Sequence, residues 1–325
     1  MNEAVWRPSA SLDLLRERAG LLARMRDFFR EAGVLEVETP VCSRFGTTDP
    51  SLQSLMSLYT GPGAPGGQRL YLQTSPEFPM KRLLAAGSGP IYQICKVFRD
   101  GELGRRHNPE FTLLEWYRPG YDHHRLMDEV AALVNRVGER SLPLEKLSYR
   151  EAFQRFLQLD PHTATLPELK AAALAGEVPG AETLQLDRDG WLDLLLTQRV
   201  EPDLGRDRMT FLYDYPASQA ALARLRPGNP PVAERFELYL GGIEIANGFH
   251  ELGDVSEQKG RFASDNRRRR EQGLPGVAMD ERLLEALAEG LPGCAGVALG
   301  IDRLLMYLQG CAEIRRVLAF DFSRA

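Results

Sequence analysis

The strongest constraint on the fold of this chain comes from two long apolar segments that a short polar segment separates. The segments "IYQICKVFRD" (91–100) and "EFTLLEWYRP" (110–119) are rich in β-branched and aromatic residues, which is typical of strands. The polar segment "GELGRRHN" (101–108) joins them. We therefore predict an antiparallel hairpin with a long tip.

This hairpin carries charged residues that a purely structural hairpin would not need. Glu115 interrupts the apolar run "LLEWY" in the second strand. Two arginines and a histidine, Arg105, Arg106 and His107, stand just before the same strand. Charged side chains are seldom buried unless they are paired, so a carboxylate inside a strand calls for a partner. The hairpin is therefore a candidate ligand-binding element.

The remaining patterns predict an α+β fold, in which helices flank an antiparallel β-sheet. A helical repeat of apolar residues follows Ser11, a candidate N-cap, and stops at Gly33. Strand patterns recur in "VLEVETP", "RLYLQTSPE", "MTFLYDYP" and "RFELYLGGIEIANGFHEL". These strands outnumber the βαβ units that a parallel sheet would need. Between about 141 and 207 the pattern weakens, and we predict a helical insertion within a single domain of residues 1–325.

Composition predicts a protein of the reducing cytoplasm. The 325 residues are 43% hydrophobic and 26% charged, which suits one large domain or two smaller ones. The four cysteines show no CxxC spacing and are expected to be free thiols. The start "MNEAVWRPSASLDLL" has no apolar export segment, and no stretch reaches about 18 apolar residues, so we expect a soluble, cytoplasmic protein. The net charge of −5 argues against a general nucleic-acid binder.

Groups that suit a nucleotide and a metal ion occur at the ends of predicted strands. Guanidinium groups such as those of Arg99 and Arg303 clamp phosphates, and Phe111 offers an aromatic face to a base. Glu244 and Glu251 offer carboxylates to Mg²⁺, which takes one or two protein oxygens together with phosphate oxygens. The chain thus has candidates for both parts of a nucleotide site.

Three other features are interpreted as structural. The segment "GPGAPG" (61–66) matches a dinucleotide-binding pattern by letters only, because it contains prolines and precedes a strand. The run "RRRR" (267–270) is interpreted as the solvated side of a helix, with contact to an acidic partner as the alternative. His123, His124 and His162 have no ligand spacing with a cysteine or carboxylate, and we predict that they are structural.

The order of these segments resembles the class II aminoacyl-tRNA synthetases, and among them the lysyl-tRNA synthetases. "EAGVLEVETP", which ends at Pro40, is similar to motif 1, "FRDGELGRRHNPEFTLLEWY" to motif 2 and "GVALGIDR" to motif 3. "TSPE" and "GIEIANGFHEL" resemble pocket segments of the lysine branch. The resemblance covers the chain from about Leu12 onward. It implies the class II catalytic fold, ATP and Mg²⁺ as cofactors, and a homodimer whose interface motif 1 builds.

We expect this protein to differ from the lysyl-tRNA synthetases in one module. Only about ten residues of the sequence precede the first helix, so no N-terminal anticodon-binding OB-fold domain is expected. A lysine-type catalytic domain of this kind resembles the elongation factor P β-lysine ligases. That resemblance implies activation of (R)-β-lysine or lysine as an acyl-adenylate, followed by transfer to a lysine ε-amine of elongation factor P. It also implies that tRNA is not a partner.

The resemblance further implies which residues meet the amino acid. Glu115, Glu251 and the hydroxyl of Tyr117 would receive its terminal ammonium, whose burial costs several kcal/mol unless carboxylates and hydroxyls meet it. Glu77 would hold the other amine. The remaining positions of this predicted pocket are Ser75, Asn247 and Ala298.

Phosphate and metal contacts are implied in the same way. Arg99, with Asn247, would face the reacting carboxylate and the α-phosphate. The cations of Arg105–His107 would meet the outer phosphates. Glu244 and Glu251 would hold Mg²⁺. No protein nucleophile is required for adenylate formation, which depends on positioning and electrostatics.

The base would lie between two side chains. The resemblance implies that Asn108 contacts the nucleotide, that Phe111 stacks under adenine, and that Arg303 covers the other face and meets the γ-phosphate. Gly101 departs from the family, which usually has a glutamate there to contact the adenine amine, so Glu102 or backbone groups would replace that contact. The remaining predicted ATP-binding positions are Asp100, His107, Ile245 and Gly300.

Two alternatives stay open at this stage. Besides the ligase, the chain could be a truncated synthetase that charges tRNA with lysine, or a non-catalytic paralogue that acts as a binding module. A non-catalytic paralogue would have lost the motif arginines or the metal carboxylates. Arg99, Arg303, Glu244 and Glu251 are all present, which favours an active enzyme.

Overall fold

Helices and strands follow one another in the predicted order. A computed structural model describes residues 6–325, so the prediction about the N-terminal segment falls partly on residues 1–5, outside the described residues. The helices are α1 (Leu12–Glu31), α2 (Glu77–Ala85), α3 (His123–Gly138), α4 (Tyr149–Leu157), α5 (Leu166–Ala175), α6 (Arg188–Leu195), α7 (Val255–Glu271), α8 (Glu281–Glu289) and α9 (Ile301–Leu308). The strands are β1 (Leu35–Glu36), β2 (Cys42–Ser43), β3 (Met56–Tyr59), β4 (Gln68–Leu72), β5 (Ile91–Phe98), β6 (Glu110–Pro119), β7 (Leu144–Ser148), β8 (Met209–Pro216), β9 (Leu225–Arg226), β10 (Val232–Leu240), β11 (Ile243–His250) and β12 (Cys294–Gly300).

The predicted hairpin is confirmed. Strands β5 and β6 pair antiparallel from Ile91 opposite Tyr117 to Phe98 opposite Glu110. Glu115 lies opposite Gln93 in this register and is buried. The long tip between the strands carries the basic residues of the motif 2 segment.

Helix α1 begins and ends where the sequence predicts. The side chain of Ser11 accepts a hydrogen bond from the backbone N–H of Leu14 at 3.2 Å, as an N-cap does. Gly33, with φ +65°, follows the end of the helix. The buried ring of Phe29 stacks on Tyr92 with 4.4 Å between the ring centroids, so α1 packs on β5.

Contacts along the chain divide it into two compact units, each described here by itself. The first unit holds the described residues up to Gly120, together with Gly253–Cys294 and Ala298–Ala325. In it, β1 pairs parallel with β5, β5 pairs antiparallel with β6, and a small sheet has the order β2-β4-β3. The predicted strand "VLEVETP" is shorter than expected, because only the two residues of β1 pair as a strand.

The second unit holds Tyr121–Leu252 and Ala295–Val297. Its strands follow the order β11-β10-β8-β7, with β9 also paired to β10, and only the β7–β8 pair is parallel. The predicted insertion is mostly helical, as expected, although it begins with β7. Its large side chains Tyr149, Phe153 and Trp191 share one core with Tyr215 of β8 and Tyr239 of β10, which makes it an integral part of this unit.

The fold class is the predicted one, helices with a mostly antiparallel sheet. Within residues 6–325, no helix has both the length and the apolar composition that crossing a bilayer demands.

Candidate functional site

The carboxylate of Glu115 is the centre of a small hydrogen-bonded group. Its side chain is buried, and its two oxygens accept hydrogen bonds from Tyr117 Oη and Ser75 Oγ, each at 2.7 Å. Hydroxyl donors stabilise a carboxylate without neutralising it. Burial, followed by the charge of Glu115, raises the pKa of Cys95 to about 12, so that thiol stays protonated. The structure therefore brings three predicted pocket residues into one hydrogen-bonded group.

Glu77 begins α2 beside a cation that the sequence analysis overlooked. Lys81, one helical turn later, is 2% exposed, and its Nζ lies 2.5 Å from Glu77 Oε1. The backbone N–H of Glu77 also donates to Ser75 Oγ at 3.0 Å. The Glu–Lys spacing of four residues on a helix was the available signal. If Glu77 binds a substrate amine, its carboxylate contacts that amine and the ammonium of Lys81 at the same time.

Arg99 and Phe111 lie together at the base of the hairpin tip. The guanidinium carbon of Arg99 is 5.0 Å from the centroid of the Phe111 ring, which is a cation–π contact. Nη1 of Arg99 lies 3.5 Å from Glu102 Oε1. In this arrangement Glu102 pairs with Arg99, and its replacement of the missing glutamate at Gly101 stays a prediction.

The backbone conformation at position 101 explains why a glycine occurs there. Its φ is +79°, in the left-handed region where a side chain adds strain, and no atom lies within 4 Å of the position a Cβ would take. The backbone N–H of the preceding Asp100 donates to the carbonyl of Gln53 at 2.8 Å. Conformation, and not lack of space, therefore disfavours the usual glutamate here.

His107 is not a cation, contrary to the prediction. Burial, followed by the charge of Arg303, lowers the pKa of His107 below its ordinary value of 6.5, so its ring is neutral at pH 7. Nη2 of Arg303 lies 2.7 Å from Nε2 of His107, which accepts the hydrogen bond. The motif 2 tip thus orients the motif 3 arginine. Arg105, by contrast, donates from Nε to the carbonyl of Ala312 at 3.1 Å.

The amide nitrogen and the amide oxygen of the Asn108 side chain both form hydrogen bonds with backbone groups. Nδ2 donates to the carbonyl of Glu110 at 2.7 Å, and Oδ1 accepts from the backbone N–H of Phe322 at 3.0 Å. The residue is 5% exposed. The predicted nucleotide contact would therefore come from its backbone, while its side chain fastens the C-terminal segment.

Asp302 is a buried supporting residue that the sequence analysis missed. Its carboxylate accepts from the backbone N–H of Thr112 at 2.7 Å and pairs with Nη1 of Arg18 at 2.5 Å. Nη2 of Arg18 donates to Thr112 Oγ1 at 2.7 Å. Asp302 stands between Gly300, the N-cap of α9, and Arg303, so this group holds the first turn of α9 in place. The predicted pocket position Ala298 lies in β12 and is half-buried.

A β-bulge decides which residues of β11 share a face. Strand register runs from Arg235 opposite Phe249 to Glu237 opposite Asn247, and then shifts so that Tyr239 lies opposite Glu244. Residues directly opposite each other share a face, so the bulge places Glu244 on the face of Asn247. In a regular strand the odd spacing of these two residues would put them on opposite faces.

Alternation beyond Phe249 brings Glu251 to the same face. Glu251 is buried and Glu244 is half-buried. Both side chains offer carboxylate oxygens, the kind of ligand that Mg²⁺ prefers. Ile245, the residue at the bulge, is buried.

Asn247 is held by two charged residues that the sequence analysis did not single out. Nε of Arg235 donates to Asn247 Oδ1 at 3.4 Å, and Asn247 Nδ2 donates to Glu237 Oε1 at 3.3 Å. Arg235 also pairs with Glu237 and lies over the ring of Tyr215, 4.4 Å from its centroid. Burial is the largest single effect and lowers the pKa of Arg235, but the charges of Glu237, Tyr215 and Glu244 together outweigh it, so the pKa is raised. This network fixes the orientation of the Asn247 amide.

One part of the arginine run is buried, which corrects the prediction of a solvated face. Arg269 is 3% exposed and donates from Nη1 to the carbonyl of Asp49 at 3.1 Å and from Nη2 to Gln53 Oε1 at 3.0 Å. Its neighbours Arg267, Arg268 and Arg270 are exposed. Only those three arginines are available to an acidic partner.

Comparison with known proteins now gives the family. Residues 4–324 match the family described as "tRNA synthetases class II (D, K and N)". Elongation factor P–(R)-β-lysine ligases are similar along their whole length: 51% identity for the protein of Salmonella paratyphi B and 52% for that of Salmonella dublin, each over 322 residues that cover 99% of both chains. The protein of Salmonella enteritidis PT4 is also 51% identical over 99% of both chains. The chain therefore belongs to the class II aminoacyl-tRNA synthetase family.

Proposed function

We propose that this protein is an ATP-dependent ligase that activates (R)-β-lysine as an acyl-adenylate and joins it to a lysine ε-amine of elongation factor P. The observation that carries the proposal is the similarity over 99% of both chains to proteins named for this activity. The buried, hydroxyl-supported carboxylate of Glu115 agrees with it, because a substrate ending in an ammonium needs such a charge.

The amino acid would be recognised at both of its ends. Glu115 would receive the terminal ammonium, with Ser75 and Tyr117 holding the carboxylate oxygens in place. Asn247, oriented by Arg235 and Glu237, would meet the reacting carboxylate. Preoriented polar groups of this kind lose little entropy on binding and discriminate strongly against ligands that leave them unpaired.

Adenylate formation would need charge stabilisation and no protein nucleophile. The substrate carboxylate attacks the α-phosphorus of ATP and pyrophosphate leaves. Arg99 and Arg303 would neutralise charge on the phosphoryl oxygens, and Phe111 would offer its ring to adenine. Glu244 and Glu251 would hold Mg²⁺, which would supply further charge stabilisation to the phosphates. In the second step the acceptor amine attacks the acyl carbon, an amide forms and AMP leaves.

The acceptor distinguishes this proposal from tRNA charging. Binding of tRNA depends on many phosphate contacts, whereas this chain has a net charge of −5 and its arginine run offers three exposed side chains. We propose that the protein works in the cytoplasm as a homodimer and does not charge tRNA. Large apolar side chains stand exposed between residues 35 and 59, which supports assembly.

Intact-mass analysis tests the proposal directly. Elongation factor P is incubated with the enzyme, ATP and either (R)-β-lysine or lysine, and a parallel reaction contains tRNA as acceptor. We expect elongation factor P to gain the mass of one β-lysine residue and tRNA to remain uncharged. A variant of elongation factor P that lacks the modified lysine serves as control. Efficient charging of tRNA, with elongation factor P at its original mass, would contradict the proposal.

A further inference from the structure

Three side chains that the sequence analysis treated as unrelated meet in the second unit. His123 is the first residue of α3, Glu234 lies in β10, and His250 is the last residue of β11. Their ligand atoms all lie within 4.8 Å of one another. His123 and Glu234 are buried and His250 is half-buried. The prediction that His123 is structural rested on spacing along the chain, which does not report this proximity.

The polar atoms of this cluster lack good hydrogen bonds. Nδ1 and Nε2 of His123, Oε2 of Glu234 and Nδ1 of His250 are buried without a hydrogen-bond partner. Nδ1 of His250 lies 2.7 Å from Glu234 Oε2, a contact that is an ion pair only when the imidazole is protonated. Buried polar atoms are almost always satisfied, so four such atoms in one place point to a missing ligand.

Strand irregularities bring the cluster together. The pairing of β8 with β10 shifts between Ala233 and Phe236, the stretch that contains Glu234. Asp214, on the facing part of β8, has φ +59°, a left-handed conformation that aspartate tolerates better than most residues. Such interruptions redirect side chains and often occur at functional sites.

Asp214 is placed to orient His123. Its Oδ1 lies 3.6 Å from Nε2 of His123, while its other oxygen pairs with Arg226. A carboxylate behind a histidine is the usual arrangement around a metal-binding imidazole, because it sets the tautomer and the ring orientation.

The charges around the cluster leave room for a divalent cation. Arg224 Nε lies 3.6 Å from Glu234 Oε2, and Arg226 Nη1 lies 3.9 Å from Glu234 Oε1. Their side chains are 55% and 40% exposed, so both arginines can turn into solvent when a metal ion takes the carboxylate. The ring of His124 lies beside that of His123, with 4.1 Å between the ring centroids, and the carboxylate of Asp122 interacts electrostatically with both histidines and with His250.

We propose that His123, Glu234 and His250 form a binding site for a zinc-class divalent metal ion. Two imidazoles and one carboxylate are a common zinc set, in which a water molecule takes the fourth position. Mg²⁺ prefers oxygen ligands throughout, so the nitrogen-rich set separates this site from the carboxylates of Glu244 and Glu251. Ligands of one tetrahedral zinc ion lie about 3.4 Å apart, so the side chains need to close by small movements only.

The ion would fasten the first turn of α3 to the ends of β10 and β11. Helix α3 packs on both strands. At the strand ends, the backbone of Arg224 already joins the two: its N–H donates to the carbonyl of His250 at 2.8 Å, and its carbonyl accepts from the N–H of Glu234 at 2.9 Å. Side chains of successive strand residues point to opposite faces, so His250 faces away from Glu251. The proposed role is therefore structural and does not depend on the ligase reaction.

Binding of Zn²⁺ and Co²⁺ to the full-length protein tests the site. Chelator-treated protein is titrated calorimetrically with Zn²⁺, its melting temperature is recorded with and without Zn²⁺, and Co²⁺ reports the geometry by visible absorption. We expect one Zn²⁺ per chain, a higher melting temperature, and a tetrahedral Co²⁺ spectrum without thiolate bands. Zn²⁺ affinity should fall at least about 100-fold in Glu234→Gln and His123→Ala, and about 10-fold in Asp214→Asn.

His162→Ala is the matched control, because this half-buried histidine of the second unit lies outside the cluster. Cys42→Ser removes the exposed thiol, which could bind zinc adventitiously. Both variants should bind Zn²⁺ as the unaltered protein does. Glu234→Gln preserves side-chain shape, so it tests the site even if His123→Ala unfolds. Absence of stoichiometric Zn²⁺ binding, thiolate bands with Co²⁺, or unchanged affinity in Glu234→Gln would overturn the proposal.

Discussion

Individual carboxylates of this protein lie in different surroundings. Glu115 and Glu110 belong to the same strand, yet Glu115 is buried beneath two hydroxyl donors and Glu110 pairs with Lys96 at the surface. Glu77 instead meets the buried ammonium of Lys81. Hydroxyl donors orient a carboxylate without supplying a counter-charge, whereas the ammonium of Lys81 supplies one to Glu77. Glu115 is therefore the residue on which substrate binding should depend most.

We expect Glu115→Gln to lower kcat/KM for (R)-β-lysine by roughly 100-fold, because it leaves the substrate ammonium without its buried counter-charge, a loss of about 3 kcal/mol. Steady-state adenylation at varied (R)-β-lysine gives the value. Glu110→Gln, on the same strand, should leave kcat/KM unchanged. Equal effects of the two substitutions would remove Glu115 from the pocket.

Removal of the motif 2 guanidinium should abolish activation. Arg99→Ala is expected to slow ATP–pyrophosphate exchange by about 100-fold or more, since one lost charge-stabilising group costs about 3 kcal/mol in a transition state. Arg282→Ala, at an exposed position of α8, is the control and should retain exchange. Exchange at an unchanged rate in Arg99→Ala would be inconsistent with the role assigned to this residue.

Elements are held in register by a few buried polar contacts. Asp302 connects three of them, because Arg18 lies in α1, Thr112 in β6 and Asp302 itself in α9. The bulge in β11 acts on the same scale, since one extra residue turns Glu244 to the face of Asn247. In both cases the geometry of an element, and not the identity of one residue, determines which side chains can act together.

Asp302→Asn should destabilise the protein by about 3 kcal/mol, because it leaves the largely buried guanidinium of Arg18 without its counter-charge. The free energy of unfolding in urea gives the value. Asp13→Asn breaks the exposed pair with Arg16 and should change stability little. If both substitutions had equally small effects, the buried pair would not be important for holding α9.

Replacement of Gly101, the first glycine of the hairpin tip, should destabilise the protein. Gly101→Ala is expected to cost about 1 kcal/mol in unfolding free energy, because φ at this position is +79°. Gly104→Ala, in the same tip, has no such φ and no atom within 4 Å of the new Cβ, so it should cost less. Unfolding in urea compares the two. A larger cost at Gly104 would contradict the conformational explanation of Gly101.

At the scale of the whole molecule, exposed apolar surface suggests how two chains associate. Leu35, Met56, Leu58 and Tyr59 are between 45% and 63% exposed, and all four residues of the edge strand β3 are exposed. Unpaired strand edges and clustered apolar residues are usually covered by another chain. The proposed homodimer would bury this region.

We expect a dimer at micromolar concentration in analytical ultracentrifugation, and a shift to monomer in Leu58→Asp, because a buried charge at the interface is costly. Leu174→Asp changes an exposed leucine of α5 and should leave the dimer intact. A monomeric unaltered protein would contradict the assembly proposed here.

Local sequence patterns by themselves determined the order of elements and the family. The antiparallel hairpin, the N-cap at Ser11 and the α+β class follow from periodicity and capping, which act between residues close in the chain. Motif order along the chain led to the class II synthetases, and the family match over residues 4–324 confirms it.

Only the tertiary structure decided which distant groups meet. The neutral ring of His107 beneath Arg303, the burial of Arg269 and the cluster of His123, Glu234 and His250 all depend on contacts between segments far apart in sequence. A bulge changes which residues of a strand share a face, and the amino-acid sequence of the strand does not clearly reveal it. Burial and pairing of charges are properties of the space around a residue, so a linear pattern cannot report them.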